Sequence, residues 1–181
     1  VSHPDALHLD APRLDALTSD DRHIGALAGL LERTVAAGGS VHFMDPTPPE
    51  AAWAYWAEAL THAAAGGRLV LGLFVGDDLA GTVTLYLDTP PNQPFRAEIW
   101  KLMVDPGYRG RGHGRALMVE AERRARALGR TLLTLDTAVE GGASELYESL
   151  GWARAGVIPD YAYKPQGGLV ATAIYYKRLS A

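Results

Sequence analysis

Residues 96–136 most restrict what this chain can fold into. An alternating apolar run (96–104) stops at Asp105-Pro106-Gly107, a glycine- and arginine-dense loop follows, and an amphipathic stretch continues to about Leu128. A second short apolar run (131–135) then ends in Asp136. Strand, helix and strand in this order predict a parallel pair, because a crossover of this length returns the chain in its original direction. The helix has an apolar stripe of Leu117, Met118, Ala121, Ala125 and Leu128. Glu120 with Arg124, and Glu122 with Arg126, stand at the i,i+4 spacing of solvated ion pairs.

The flanks supply the other elements. Thr18-Ser19-Asp20 precedes a helix with Ile24, Leu27, Leu30, Leu31 and Val35 on one stripe. Thr47-Pro48-Pro49-Glu50 reads as a capping box, with Thr47 as the cap and Glu50 reaching back, ahead of a helix through Trp53, Trp56 and Leu60. Residues 69–75 and 79–87 are two strands joined by Gly76-Asp77-Asp78. A short helix at 143–150 stops at Gly151, and strands at 152–157 and 169–176 close the chain. The expected fold is α/β: a mixed central sheet of about six or seven strands flanked by helices, as one domain over residues 1–181.

Composition excludes several chemistries. A formal net charge of -4 argues against a nucleic-acid partner. No apolar run approaches the ~18 residues of a membrane span, so no membrane partner is expected. Residues 1–17 carry charged side chains and lack the apolar core of a secretory signal, which predicts a cytoplasmic location. The absence of cysteine excludes disulfides, Cys-zinc sites and a Cys nucleophile. The six histidines, at 3, 8, 23, 42, 62 and 113, show no close helical pairing, so no metal is expected.

The loop Arg109-Gly110-Arg111-Gly112-His113-Gly114-Arg115 lies between a strand and a helix. Glycines there let a ligand approach the backbone, and N–H groups at a helix N-terminus bind anions. The arginines add fixed positive charge, so the loop suits a pyrophosphate. It is not a P-loop, since no Gly-Lys pair occurs. Nor is it a dinucleotide fingerprint, because Arg115 and Leu117 stand where GxGxxG needs glycine.

Leu102-Met103-Val104-Asp105-Pro106 followed by Arg109-x-x-Gly112-x-Gly114 resembles the acetyl-CoA signature of the GNAT acetyltransferase superfamily, R/Q-x-x-G-x-G/A. Tyr147-Glu148-Ser149-Leu150-Gly151-Trp152 is similar to its second signature, YxxLGF, with Trp152 in place of the usual phenylalanine. Glu140 stands where many members carry asparagine. Gly39-Ser40-Val41-x-Phe43-Met44, Arg96-Ala97-Glu98-x-x-Lys101-Leu102-Met103-Val104, Leu135-Asp136-Thr137 and Thr172-Ala173-Ile174-Tyr175-Tyr176-Lys177 resemble the tabtoxin-resistance type of small-molecule acetyltransferase.

The resemblance implies a GNAT-like sheet and acetyl-CoA as cosubstrate, held by backbone groups at Met103 and Val104 and by the loop residues Arg109, Gly110, Arg111, Gly112, His113 and Gly114. The His113 side chain is expected to point to solvent. Tyr147 is implied as the acid towards the CoA sulfur, and Glu98 as the base. Asp136 ends the partner strand, where both carboxylates could face one cleft, attract a cationic amine and relay its proton. The acceptor pocket is implied at Phe43, Asp45, Trp53 and Tyr161, with Trp56, Asp160 and Tyr163 nearby. Trp53 and Trp56 read equally well as helix core.

The expected reaction is transfer of the acetyl group of acetyl-CoA to a primary amine of a small molecule, by direct attack in a ternary complex. With neither cysteine nor a GxSxG elbow, no acyl-enzyme nucleophile is in view. Acetylation of protein N-termini or lysines, and CoA sensing without turnover, are the alternatives. A homodimer through the C-terminal strands is a further expectation.

Overall fold

The computed structural model describes residues 11–180. His3 and His8, and most of the segment read against a secretory signal, lie outside them. Twelve segments alternate in the expected order, with seven strands, one more than the six located individually in the sequence and within the expected six or seven. They are β1 (Arg13–Ala16), α1 (Asp21–Ala36), α2 (Pro49–Ala64), β2 (Arg68–Val75), β3 (Asp78–Tyr86), β4 (Arg96–Val104), a 3-10 turn (Pro106–Tyr108), α3 (His113–Ala127), β5 (Leu132–Ala138), α4 (Ala143–Ser149), β6 (Ala153–Tyr163) and β7 (Leu169–Arg178).

The seven strands form one sheet, ordered β1-β2-β3-β4-β5-β7-β6. β4 and β5 are parallel, as the crossover requires, and every other pairing is antiparallel. β1 escapes sequence reading because four residues, two of them charged, carry too little periodicity to register. β6 runs six residues beyond its expected end, through Pro159. An edge strand tolerates proline because its outward N–H groups need no partner.

Helices cover both faces. Leu27, Leu30, Leu31 and Val35 of α1 meet Trp56 and Leu60 of α2 over Val70, Phe74 and Met103. On the other face Leu117, Met118, Ala121 and Ala125 of α3 pack on Leu71, Val83, Leu85, Ile99 and Leu133. β3, covered on both sides, is buried over seven consecutive residues.

Local signals hold unevenly. Asp20 caps α1 by accepting the His23 N–H at 2.9 Å. The expected capping box of α2 does not form: Pro48 is the cap, no side chain caps the helix, and Thr47 Oγ1 donates to Met44 O at 3.0 Å. The helix begins one residue later than read, which puts Pro48, a residue with no side-chain acceptor, at the cap and shifts Glu50 off the position from which it would reach back. Glu120–Arg124 forms as read, at 2.7 Å.

Glu122 does not belong to the solvated face. It is 5% exposed, and its carboxylate accepts from Lys177 Nζ at 2.7 and 2.8 Å and from Trp152 Nε1 at 3.0 Å, while Arg126 stays at 3.7 Å. Lys177 also donates to Leu150 O at 2.6 Å. This network ties α3 to β7 and to the end of α4. Lys177→Met leaves a buried carboxylate without its cation and is expected to destabilise the fold by about 3 kcal/mol in urea unfolding. A loss below about 1 kcal/mol would mean that the network does not hold these elements together.

Candidate active site

β4 carries the irregularity that builds the site. Thr82 pairs with Met103 and Thr84 with Trp100, so β4 spends one residue more than β3 over the same stretch. The extra residue is a β-bulge at Lys101, whose φ is +51°. Before it, Ala97 and Ile99 face the α3 core. After it, Leu102 and Val104 take that side and Met103 turns to the α1–α2 core. The bulge therefore reverses the alternation within one strand.

β4 and β5 also part company. Their parallel pairing covers only Arg96↔Leu132, Ala97↔Leu133 and Glu98↔Thr134, after which β5 continues on β7 alone. The gap is a cleft of ≈ 510 Å³, with Leu102, Met103 and Val104 along one wall, Thr137 and Ala138 along the other, and Arg109 and Gly114 at the loop end. It joins a smaller chamber of ≈ 100 Å³ that holds His42, Trp100, Lys101, Asp136, Tyr161 and Thr172. Tyr147 lines both spaces.

At the loop end, Gly112 caps α3 at φ +80°, a conformation that glycine adopts without steric cost. No side chain caps α3 and its first turn holds no acid, so the helix presents its positive end uncompensated. A Cβ on Gly114 would meet Leu146 Cδ2 at 3.3 Å, which keeps this wall of the cleft close to the backbone. Arg109 lines the cleft. Arg111 instead lies over the Tyr108 ring, and Arg115 donates to Ser149 Oγ at 2.6 Å. A pyrophosphate fits this arrangement, because free N–H groups and one arginine converge on it.

The His113 side chain does not point to solvent. It is 7% exposed, tilted against Tyr108, and its Nε2 has no partner. Burial, with Arg111 close by, lowers its pKa and favours the neutral ring. Its place at the first residue of α3 turns the ring under the loop, so only its backbone is available to an anion.

Asp136 lies within β5, not at its end: it pairs with Ile174, and β5 continues to Ala138. Its exposed side chain faces the chamber and accepts from Thr172 Oγ1 at 3.3 Å. Glu98 shares that face of the sheet but is occupied elsewhere. Arg96 donates to its Oε1, and Trp100 Nε1 donates to its Oε2 at 2.9 Å. Glu98 does not line the chamber, whereas Trp100 does, so only one of the two carboxylates opens onto it. The pairing of Glu98 with Arg96 comes from their i,i+2 spacing on one strand face.

Tyr147 is 5% exposed and packs on Trp152 and Tyr175. Burial, with the Asp136 charge adding to it, pushes its phenol well above the ordinary tyrosine range despite a hydrogen bond with Thr137. The side chain is therefore both core packing and chamber wall.

The expected acceptor residues divide. Tyr161 lines the chamber, brought there by a two-residue irregularity in β6 between Ile158 and Ala162. The Phe43 ring stands behind Lys101, 5.9 Å from Nζ. Trp53 is 41% exposed and packs against α1 at Gly25, and Trp56 is fully buried core. Asp45 is exposed and is held by its backbone N–H, which donates to Pro165 O at 3.0 Å. Asp45, Trp53, Asp160 and Tyr163 line neither space.

Lys101 and His42 are the residues that sequence reasoning missed. Lys101 is 7% exposed, with Nζ 3.0 Å from His42 Nδ1 and 5.0 Å from the Tyr55 ring centre. Burial lowers its pKa to about 8, with Asp136 pulling upward and Arg68 downward. Burial, then the Lys101 charge, lowers His42, which favours the neutral imidazole whose Nδ1 can accept from Lys101. The one available signal was a lysine on the apolar phase of an alternating strand, in step with Ala97, Ile99 and Met103.

A lysine depressed in the folded state weighs against folding most where it is fully charged, and the penalty fades as pH rises from about 8 towards its unfolded value of 10.5. Urea melts of the wild type against Lys101→Met are therefore expected to show the wild type gaining on the variant by about 3 kcal/mol between pH 7.5 and 10.5. A pH-independent difference would mean that Lys101 is not desolvated.

A family model for the acetyltransferase (GNAT) family matches residues 16–152. An uncharacterized N-acetyltransferase of Methanocaldococcus jannaschii is 43% identical over 63 residues, 34% of this chain and 28% of that protein. The chain spans a third or less of the length of the curated relatives it matches. Among solved structures, an N-acetyltransferase from Staphylococcus aureus Mu50 superposes with TM-score 0.80 at 17% identity, over 94% of this chain and 100% of that one. A phosphinothricin acetyltransferase from Sinorhizobium meliloti, solved with acetyl-CoA, gives TM-score 0.78 at 21% identity, over 93% and 89%.

Proposed function

The chain belongs to the GNAT acetyltransferase family, and on that premise we propose that it transfers the acetyl group of acetyl-CoA to the primary amine of a small molecule. The acceptor is an amino-acid-like metabolite, antibiotic or toxin, in keeping with the resemblance to the tabtoxin-resistance type and the likeness to phosphinothricin acetyltransferase structures. One observation carries the reading: a single cleft runs from the uncapped N-terminus of α3, between parted strands, to a chamber holding a carboxylate. The chamber's ≈ 100 Å³ supports a small acceptor over a peptide.

In this mechanism the N–H groups at the start of α3, with Arg109, hold the pyrophosphate. Past Glu98 the edge of β4 has no strand partner, so its outward backbone groups over Leu102–Val104, apart from Val104 O, which accepts from Arg109 Nε at 3.3 Å, are available to the pantetheine amides and the thioester oxygen. Bound acetyl-CoA supplies an activated acetyl thioester. Asp136 holds the acceptor ammonium and takes a proton from it before the nitrogen attacks, because only the neutral amine is nucleophilic. Tyr147, kept protonated by its burial, donates a hydrogen bond to the departing sulfur. Overall the C–S bond breaks as the C–N bond forms, and two protons leave the nitrogen: one passes through Asp136 to solvent before attack, and the other ends on the CoA sulfur, which departs as the free thiol. Glu98 acts at one remove, as a positioning residue that fixes Trp100 at the chamber wall.

Thiol release from acetyl-CoA, read with a disulfide reagent against amino acids, polyamines, aminoglycosides and short peptides, tests the reading. The protein has no thiol to interfere. Acceptor-dependent release that is greatest with a small amine supports it, and failure to bind acetyl-CoA overturns it. Asp136→Asn is expected to lower kcat by roughly 10²-fold or more, with acetyl-CoA affinity within about twofold of wild type. Glu98→Gln is expected to lower it by less than about 10-fold, since its carboxylate does not meet the acceptor. The reverse order would make Glu98 the base.

A further inference from the structure

Lys101 has more hydrogen-bonding capacity than the protein satisfies. An ammonium carries three donors, and among the described residues only His42 Nδ1 accepts from it. Its other neighbours are the faces of Phe43 and Tyr55, which attract a cation but offer no lone pair. Arg68, which does not itself line the chamber, adds a second cation behind its Trp100 wall. Its guanidinium lies 5.4 Å from the Tyr86 ring centre and 5.5 Å from that of Trp100, and its Nε is buried without a partner.

Among the described residues neither cation forms an ion pair with a carboxylate. The acids that face this region are committed elsewhere or stand apart. Glu98 is taken by Arg96 and Trp100, and Asp136 stands across the chamber, where its charge is felt by Lys101 without an ion pair forming and its carboxylate stays open to a ligand. A buried cation short of acceptors is costly unless something completes it. Lys101 lines the chamber, so whatever enters the chamber can do so.

We propose that Lys101, backed by the positive charge of Arg68, is the anchor for a carboxylate carried by the acceptor itself, so that the chamber selects acceptors having an acid group close to their amine. The inference rests on the acetyltransfer reading and narrows it. Asp136 receives the ammonium end and Lys101 the carboxylate end, so a zwitterion meets complementary charges within one small space. An acceptor without the acid leaves two Lys101 donors unmet in a desolvated site, and that penalty is the source of selectivity. His42 is a positioning residue here. It accepts one Lys101 proton and aims the other two into the chamber.

Matched acceptors test this: amino acids against their primary amides, each measured for kcat/KM by thiol release and for equilibrium binding by calorimetry in the presence of CoA. The acid is expected to exceed its amide by roughly 30-fold in both. In Lys101→Met that ratio is expected to fall to within about threefold of one, and Lys101→Arg to restore part of it. Acetyl-CoA binding by each variant reports that the fold is intact. Equal binding of acids and amides, or binding of neither, overturns the anchor. A ratio that persists in Lys101→Met does so as well. Thiol release with uncharged-tail amines but no preference for acids would leave acetyl transfer standing while removing this inference. Preferential binding of acids without thiol release would do the opposite.

Discussion

The structure depends on a separation: two parallel strands that pair for three residues and then diverge. Where β4 leaves β5 beyond Glu98↔Thr134, backbone groups that a continuous sheet would consume are presented to a cleft. β5 keeps its order because β7 pairs with it through Ala138, and β4 keeps its own because β3 pairs with it through Val104. Each strand thus has one partner that holds it and one missing partner that makes room. The glycine loop and the positive end of α3 matter because this gap leads to them.

The bulge at Lys101 is the second consequence of the same strand. A regular β4 would keep its odd-numbered residues on one side throughout, and Met103 would join Ile99 in the α3 core. With one extra residue the strand fills both cores in turn, Ile99 on one side and Met103 on the other. The residue at the turnover is left with a positive φ and a buried ammonium. Strain and buried charge at one position are expensive in a sheet, and here they coincide beside a cavity.

Charge is distributed along the cleft in sequence. The loop end is positive through α3 and Arg109, the middle is apolar and backbone-lined, and the chamber sets Asp136 against Lys101 with a neutral phenol between them and the cleft. The proposed ligands, an anionic cosubstrate tail, an amide-rich arm and a zwitterionic acceptor, would lie along it in the same order.

Much of this was legible in the chain before folding. Element order, the parallel pair and the glycine loop ahead of α3 follow from local patterns: period-two and period-3.6 hydrophobicity, a proline stop, and glycines where the backbone needs positive φ. Asp136 and Tyr147, which line the chamber, stand out in the sequence for the same reason, since each sits inside a short motif with a local neighbourhood. The tertiary structure alone decided which acids and aromatics reach the site. Glu98 is diverted by Arg96 and Trp100, Trp53 faces α1, Asp45 stays outside, and the His113 ring turns under the loop. Lys101 and His42 meet across 59 residues of sequence through a bulge that no periodicity announces. Glu122, spaced for a surface pair with Arg126, is buried against Lys177, 55 residues away. Local sequence determines backbone conformation through contacts a few residues apart. The direction of a side chain at a bulge or a parted strand depends on partners distant in the chain, and these come together only when the sheet does.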